Sequence, residues 1–296
     1  MAVCAAGAYN PVVDWIQGPL LGEGTYARVY KATLRSSLIA VKTEKTSLSE
    51  TLGNEFDILV RLYDCPHVIR CLGYQRTWDY EGGGRLVSYL LLEYASGGSL
   101  LDRIQKYAGG GGLPEMEVRA HTRSILRGLR RIHGLGYVHC DLKLENVLLV
   151  AQDDDYFTAK ISDFGLSKER GTVPYASGTR AYLSPEAALF GEQEEPCDVW
   201  ALGCMVLEML VGRENALGSG TKEEILGREM ISEDARDFVK CCFTSDPDRR
   251  PTADSLLLHS FVDDYAERLF SSANAISVED AEYGFSFHFD FDDDDN

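Results

Sequence analysis

The stretch that most constrains this chain is the octapeptide His139-Cys140-Asp141-Leu142-Lys143-Leu144-Glu145-Asn146, set between apolar Tyr137-Val138 and Val147-Leu148-Leu149-Val150. It places a carboxylate, an ammonium and a carboxamide within six residues, and the flanking segments are ones that demand burial. Such a stretch reads as a short loop whose polar groups are held in place rather than solvated at random. Any fold for this chain must therefore present the loop at the margin of a core. With 296 residues, of which 45% are hydrophobic, the chain can build that core as one large domain or two smaller lobes.

The groups on the loop suit phosphoryl transfer. A carboxylate can take the proton of an incoming hydroxyl, a lysine can balance phosphate charge, and a carboxamide oxygen can ligate Mg²⁺. Seventeen residues after Asn146 stands Asp163-Phe164-Gly165, a second carboxylate on a turn that glycine permits. Near the start, Leu21-Gly22-Glu23-Gly24-Thr25-Tyr26-Ala27-Arg28-Val29 has the form G-x-G-x-x-A-x-V between two strand-like runs. Glycines there let backbone N–H groups approach a phosphate, although glycine turns between strands are common in themselves. The net charge of −18 argues against binding nucleic acid through its phosphates. No segment reaches the roughly 18 apolar residues of a membrane span; Val199–Val211 is interrupted by Glu208 and reads as a buried helix. The eight cysteines are scattered without a C-x-x-C pair, which is neither a zinc pattern nor a disulfide framework. A reducing cytosolic or nuclear setting is expected.

Taken in order, these motifs resemble those of eukaryotic serine/threonine protein kinases. The resemblance covers roughly residues 15–262 and implies an α+β, bilobal fold. A small β-rich lobe would span about 15–93 and a larger α-helical lobe about 96–262, after an N-terminal extension over 1–14. In that family the glycine turn, with Leu21, Gly22, Glu23 and Gly24, covers the ATP phosphates. Val29 would touch the adenine face, Ala40 and Leu148 would belong to the ATP site, and the backbone of Glu93 and Ala95 would bind adenine, with Leu92 as gatekeeper. Lys42, in Ile39-Ala40-Val41-Lys42, would orient the α- and β-phosphates; a lysine on a strand is otherwise usually a solvent-facing edge residue. Its expected ion-pair partner is Glu55, on a helix predicted over 49–63. Glu50 is the rival by position, but Phe56 and Leu59 place Glu55 nearer the apolar face.

The resemblance further implies Asp141 as the acceptor of the hydroxyl proton, Lys143 as the cation beside the transferred phosphoryl group, and Asn146 and Asp163 as ligands of Mg²⁺, with Mn²⁺ an alternative. Lys143, two residues after Asp141, marks serine/threonine specificity. The activation segment would run from Asp163 to Glu186, with Thr172, Tyr175 and Ser177 as candidate phosphate acceptors and Thr179 in the substrate-binding loop. Glu186 is expected to pair with Arg250 in the core. His139 is expected to be a core histidine that orients the loop. Asp198 is expected both to open the helix that follows and to brace the loop through its backbone N–H groups. Before the catalytic Asp the family usually has an arginine, compensated by an activation-loop phosphate; this chain has Cys140, with Lys168 and Arg170 as the nearest substitute cations.

Within the family, Val68-Ile69-Arg70-Cys71-Leu72-Gly73, His139-Cys140-Asp141 and Leu256-Leu257-Leu258-His259-Ser260-Phe261 are similar to the plant mitogen-activated protein kinase kinase kinases of the MEKK-like group. That implies a monomeric enzyme in a stress or hormone cascade, acting on a mitogen-activated protein kinase kinase. The alternatives are a receptor-like cytoplasmic kinase, suggested by Gly178-Thr179-Arg180-Ala181-Tyr182-Leu183, and a pseudokinase scaffold that binds partners without transferring phosphate. The segment 212–232 is shorter than the family pattern. Residues 263–296 form an acidic tail, read as disordered: Glu279–Asn296 has eight acidic residues and no basic one, with Phe285, Phe287, Phe289 and Phe291 alternating so that a strand added to a partner is the other reading.

Overall fold

The structure, a computed structural model, describes residues 15–24, 27–45, 51–79, 84–107, 111–153, 156–172, 178–217, 222–228 and 231–263. The expected N-terminal extension, Glu50, Tyr175, Ser177 and the acidic tail beyond 263 lie outside the described residues.

The early strand-like runs form one antiparallel sheet. Its strands are β1 (Trp15–Glu23), β2 (Ala27–Leu34), β3 (Ser37–Glu44), β4 (Cys71–Asp79) and β5 (Arg85–Glu93), in the order β1-β2-β3-β5-β4. β3 lies between β2 and β5, so Ile39, Ala40, Val41 and Lys42 are all buried. β1 lies at the edge and leaves Ile16, Leu20 and Leu21 exposed. Helix α1 (Thr51–Arg61) buries Leu52, Glu55, Ile58 and Leu59, the three-to-four spacing of a single face. Phe56, half-buried, stacks on Tyr74 of β4 with ring centroids 5.1 Å apart. The apolar pattern of the sequence predicts a strand over Val68 to Thr77, but β4 begins only at Cys71. Val68 pairs in parallel with Ile161, and Ile69 N–H donates to Ile161 O at 2.9 Å, so this segment is claimed by the second half of the chain.

The second half is mainly helical. Helix α2 (Leu100–Lys106) starts at Ser99, whose hydroxyl and Asp102 carboxylate form a capping box. Helix α3 (Glu115–Gly134) follows Pro114 and buries Val118, Ile125, Leu129 and Ile132 along one face. Gly128 lets α3 lie close to its neighbours, because a Cβ there would stand 2.8 Å from Ile161 Cδ1 and 3.0 Å from His67 O. Then come β6 (Tyr137–Val138), the hairpin β7 (Val147–Asp153) and β8 (Tyr156–Ile161), and β9 (Lys168–Glu169), which pairs with β6. The octapeptide thus connects β6 to β7, held from both ends by short sheets.

Helices α4 (Pro185–Phe190), α5 (Glu195–Val211), α6 (Arg213–Leu217), α7 (Lys222–Leu226), α8 (Glu233–Cys242) and α9 (Ala253–Leu256) complete this half. α5 is buried along almost its whole length, with α3 and α8 packed against it. Truncating a fully buried residue such as Leu202 to Ala would cost about 2–5 kcal/mol. The arrangement is the bilobal α+β fold that the resemblance implied. Among the described residues no helix is long and apolar enough to cross a membrane.

Candidate active site

The β6–β7 connection is fixed from beneath by α5. Asp198, buried in its first turn, accepts from His139 N at 2.8 Å and Cys140 N at 3.0 Å, while the His133 ring at the end of α3 lies 2.9 Å from its Oδ2. Burial alone would raise the Asp198 carboxyl; the His133 bond, with His139 and its N–H, outweighs it and holds the group below the usual carboxylate value. The expected brace is therefore present, but the expected cap is not. α5 begins three residues earlier at Glu195, and both Asp198 oxygens are taken by the loop and His133. The strain it holds is local: Cys140 sits at φ 66°, a left-handed conformation that costs a non-glycine residue about 1–3 kcal/mol.

His139 is fully buried, as expected. Its Nε2 lies 3.0 Å from Ser162 O, its Nδ1 takes the N–H of Asp141 at 3.3 Å, and its ring meets Phe164 edge-on at 5.0 Å. It joins the loop to the turn that carries Asp163. The Asp141 carboxylate is then surrounded by donors. Lys143 Nζ reaches Oδ2 at 2.7 Å, Asn146 Nδ2 reaches the same oxygen at 3.1 Å and the Asp141 carbonyl at 2.8 Å, and Thr179 donates from N and Oγ1 to Oδ1 at 3.0 and 2.9 Å. Lys143 also donates to Thr179 Oγ1 at 3.0 Å. Gly178, at φ 112°, makes this approach possible, since a Cβ there would stand 2.6 Å from Cys140 O.

On the other side, Lys42 Nζ lies 2.6 Å from Glu55 Oε2 and 2.7 Å from Asp163 Oδ1. Burial by itself would depress the lysine; the two carboxylates more than offset it, so the ammonium is held above its usual value. Burial pushes Glu55 up despite Lys42, whereas Lys42 outweighs burial at Asp163 and draws that carboxyl down. Glu55 Oε1 also accepts from Phe164 N at 3.2 Å, tying α1 to the Asp163 turn. Asp163 has φ 63° and a side chain 46% exposed, so one carboxylate in this cluster remains open to a ligand.

The residues expected at the ATP site come from β1, β2, β3, β5 and β7, with Ala95 just after β5. Ala40 and Leu92 are buried, Val29, Ala95 and Leu148 are partly buried against the same core, and Gly22 pairs with Val29 across β1 and β2. Leu21 is exposed, and Glu23 is paired at the surface with Lys45 at 2.6 Å and Arg28 at 3.4 Å. Glu93 N donates to Arg70 O, and its carboxylate takes Lys160 Nζ at 2.7 Å and Arg70 N at 2.6 Å. Lys160, three residues before Asp163, has no signal in the sequence, where its strand pattern gives no sign of a partner 67 positions away. Further along the activation segment Thr172 is exposed, its hydroxyl bonded to Glu169 O at 2.7 Å.

The remaining expected contacts are deeper. Arg250 meets Glu186 through two bonds of 2.6 and 3.1 Å, both residues buried, and this guanidinium outweighs burial to draw the Glu186 carboxyl down. Cys140 is buried and its thiol is pushed far up, first by burial and then by Asp198, so it carries no charge near neutral pH. Neither Lys168 nor Arg170 takes its place beside Asp141: Lys168 pairs with Glu194 at 2.8 Å and Arg170 with Glu195.

Against known proteins, a model of the protein kinase domain matches residues 15–262. Mitogen-activated protein kinase kinase kinase 20 of Arabidopsis thaliana is 41% identical over 277 residues, covering 84% of this chain and 78% of that protein. Mitogen-activated protein kinase kinase kinase 18 of the same plant is 36% identical over 270 residues, covering 84% and 78%, and number 17 is 35% identical over 269, covering 84% and 70%.

Proposed function

The chain belongs to the protein kinase family, and from that premise we propose that it is a mitogen-activated protein kinase kinase kinase, transferring the γ-phosphate of ATP to Ser or Thr hydroxyls of a mitogen-activated protein kinase kinase. The observation that carries the serine/threonine part is the Lys143 bridge between Asp141 and Thr179. It puts an ammonium and a carboxylate together beside the loop that would receive the substrate hydroxyl.

The oxygen donors suit a hard divalent cation: the open Asp163 carboxylate and the Asn146 carboxamide, both close to Lys42 or Asp141. Mg²⁺, or Mn²⁺, held by Asp163 and Asn146 would offset the charge of the β- and γ-phosphates. Lys42, kept charged and aimed by Glu55, orients the α- and β-phosphates. Asp141 Oδ1 and Oδ2 accept hydrogen bonds from donors already in place, so the carboxylate needs little reorganisation to align the incoming hydroxyl and take its proton. Lys143 stabilises the charge on the moving phosphoryl group. Lys42, Asp141 and Asp163 are the residues a scaffold would be expected to have lost, and all are retained. The names of the matched relatives favour this level of a cascade over a receptor-like cytoplasmic kinase.

The test is to incubate the purified chain with labelled ATP, Mg²⁺ and a panel of kinase-dead mitogen-activated protein kinase kinases, with a generic acceptor protein as control. Phosphoserine or phosphothreonine on a panel member is expected. Labelling of the generic acceptor alone would remove the cascade assignment, and no labelling at all would leave the scaffold.

A further inference from the structure

Three carboxylates crowd the start of α5: Glu194, Glu195 and Asp198. Asp198 holds the catalytic loop; the other two face the activation segment. Glu194 occupies the N-cap, where a side-chain oxygen ordinarily accepts from an N–H of the first helical turn. It makes no such bond. Its carboxylate turns away from the helix instead, taking Lys168 Nζ at 2.8 Å and the N–H of Gly171 at 3.2 and 3.3 Å. Lys168, only 11% exposed, reaches on to Thr172 O at 2.9 Å. Arg170 pairs with Glu195 and donates to His133 O at 3.1 Å, and the His133 ring bonds Asp198. Arg170 N also donates to Gly136 O at 2.8 Å. A lone exposed ion pair contributes little. Here a shielded lysine and a backbone N–H share the Glu194 carboxylate, and Arg170, between them in the chain, reaches the loop through His133 and Asp198.

We propose that Glu194, supported by Glu195, is a positioning residue for phosphoryl transfer: a fixed carboxylate that holds β9 and Gly171 in place and so orders the start of the activation segment without a phosphate. The proposal rests on the kinase reading. It also gives Cys140 a physical context. The neutral side chain at Cys140 leaves no cation at that position for a phosphate to compensate, and Lys168 and Arg170 already have carboxylate partners. The negative charge that would order the segment is supplied by the chain itself.

The experiment uses the full chain, made with a co-expressed phosphatase. The parent, Glu194→Gln, Lys168→Met, the double variant and the control Glu192→Gln are compared. Two readouts are taken: kcat and KM for ATP on a protein acceptor, and amide hydrogen exchange over residues 168–172 in nucleotide-free protein. Glu194→Gln is expected to lower kcat about tenfold with KM for ATP changed less than about twofold, and to speed exchange at Gly171. Lys168→Met should do the same, the double variant should be no worse than the poorer single variant, and Glu192→Gln should match the parent. Faster exchange with kcat unchanged would overturn the proposal, leaving a local contact without catalytic consequence. So would unchanged exchange, or losses that simply multiply in the double variant. If Glu194→Gln fails to fold, Lys168→Met carries the same two readouts. A parent that transfers no phosphate would refute the kinase reading, and a parent rate restored only by phosphorylating the segment would refute the clamp.

Discussion

The catalytic loop and the glycine turn would meet the same nucleotide, yet they are built in opposite ways. From Val138 to Asn146 every residue but Lys143 and Glu145 is buried, two of the N–H groups end on Asp198, and Asp141 accepts from Lys143, Asn146 and Thr179. From Leu20 to Glu23 the chain runs on β1 along the free edge of the sheet, with Leu20 and Leu21 exposed and Glu23 held by surface pairs with Lys45 and Arg28. The difference follows from what each must do. A proton acceptor has to be aligned before the reaction, and a buried, fully bonded carboxylate is. A cover over phosphates has to admit and release a ligand, and an edge strand with few buried contacts opens at low cost.

The largest effect that would sharpen this contrast is at Asp163, beside the buried loop. Asp163→Asn removes the charge proposed to hold the metal while Lys42 keeps Glu55, so kcat/KM should fall about a thousandfold, some 4 kcal/mol, while the thermal midpoint stays near that of the parent. Activity within tenfold of the parent would end the assignment of Asp163 to the metal.

Next is Asp198→Ala, which strands two buried N–H groups and the His133 ring. It should cost about 3 kcal/mol, and a thermal melt should shift down by roughly 10 °C. The pH dependence carries a definite sign. The Asp198 pKa is depressed in the folded chain, so its stabilisation is present above the unfolded value of about 3.9 and is lost as pH falls through the folded value. The parent should therefore lose stability steeply below about pH 4, and the variant less steeply. Parallel curves would mean that Asp198 is not the group responsible.

A smaller effect is expected in the activation segment. Changing Thr172, Tyr175 and Ser177 together to Ala, Phe and Ala should reduce turnover less than tenfold, under about 1.4 kcal/mol, because neutral Cys140 has no charge to be matched by a phosphate. A greater loss, measured on phosphatase-treated enzyme, would show the segment to be phosphate-switched. Smallest of all, Leu21→Ala on the glycine turn should change stability by less than about 0.5 kcal/mol and raise KM for ATP a few-fold. A large drop in melting temperature would break the contrast, showing that the turn is part of the core.

Much of this was readable along the chain. The apolar spacing around Leu52, Phe56 and Leu59 put Glu55 on the buried side of its helix, and it is Glu55 that meets Lys42. The apolar runs on either side of the octapeptide became β6 and β7, and the run after Asp198 became the buried length of α5. Periodicity reports which face of an element is buried, and turn residues report where it ends; both are local properties of the sequence. What lies opposite that face is another matter. Val68 left its predicted strand to pair with Ile161, α5 began at Glu195 and not at Asp198, Lys160 found Glu93, and the carboxylates of Glu194 and Glu195 met Lys168 and Arg170. Each of these is a polar or backbone group choosing among partners brought near only when helices and sheets pack. A buried donor must find an acceptor, but which acceptor is within reach depends on distances that no spacing along the chain encodes.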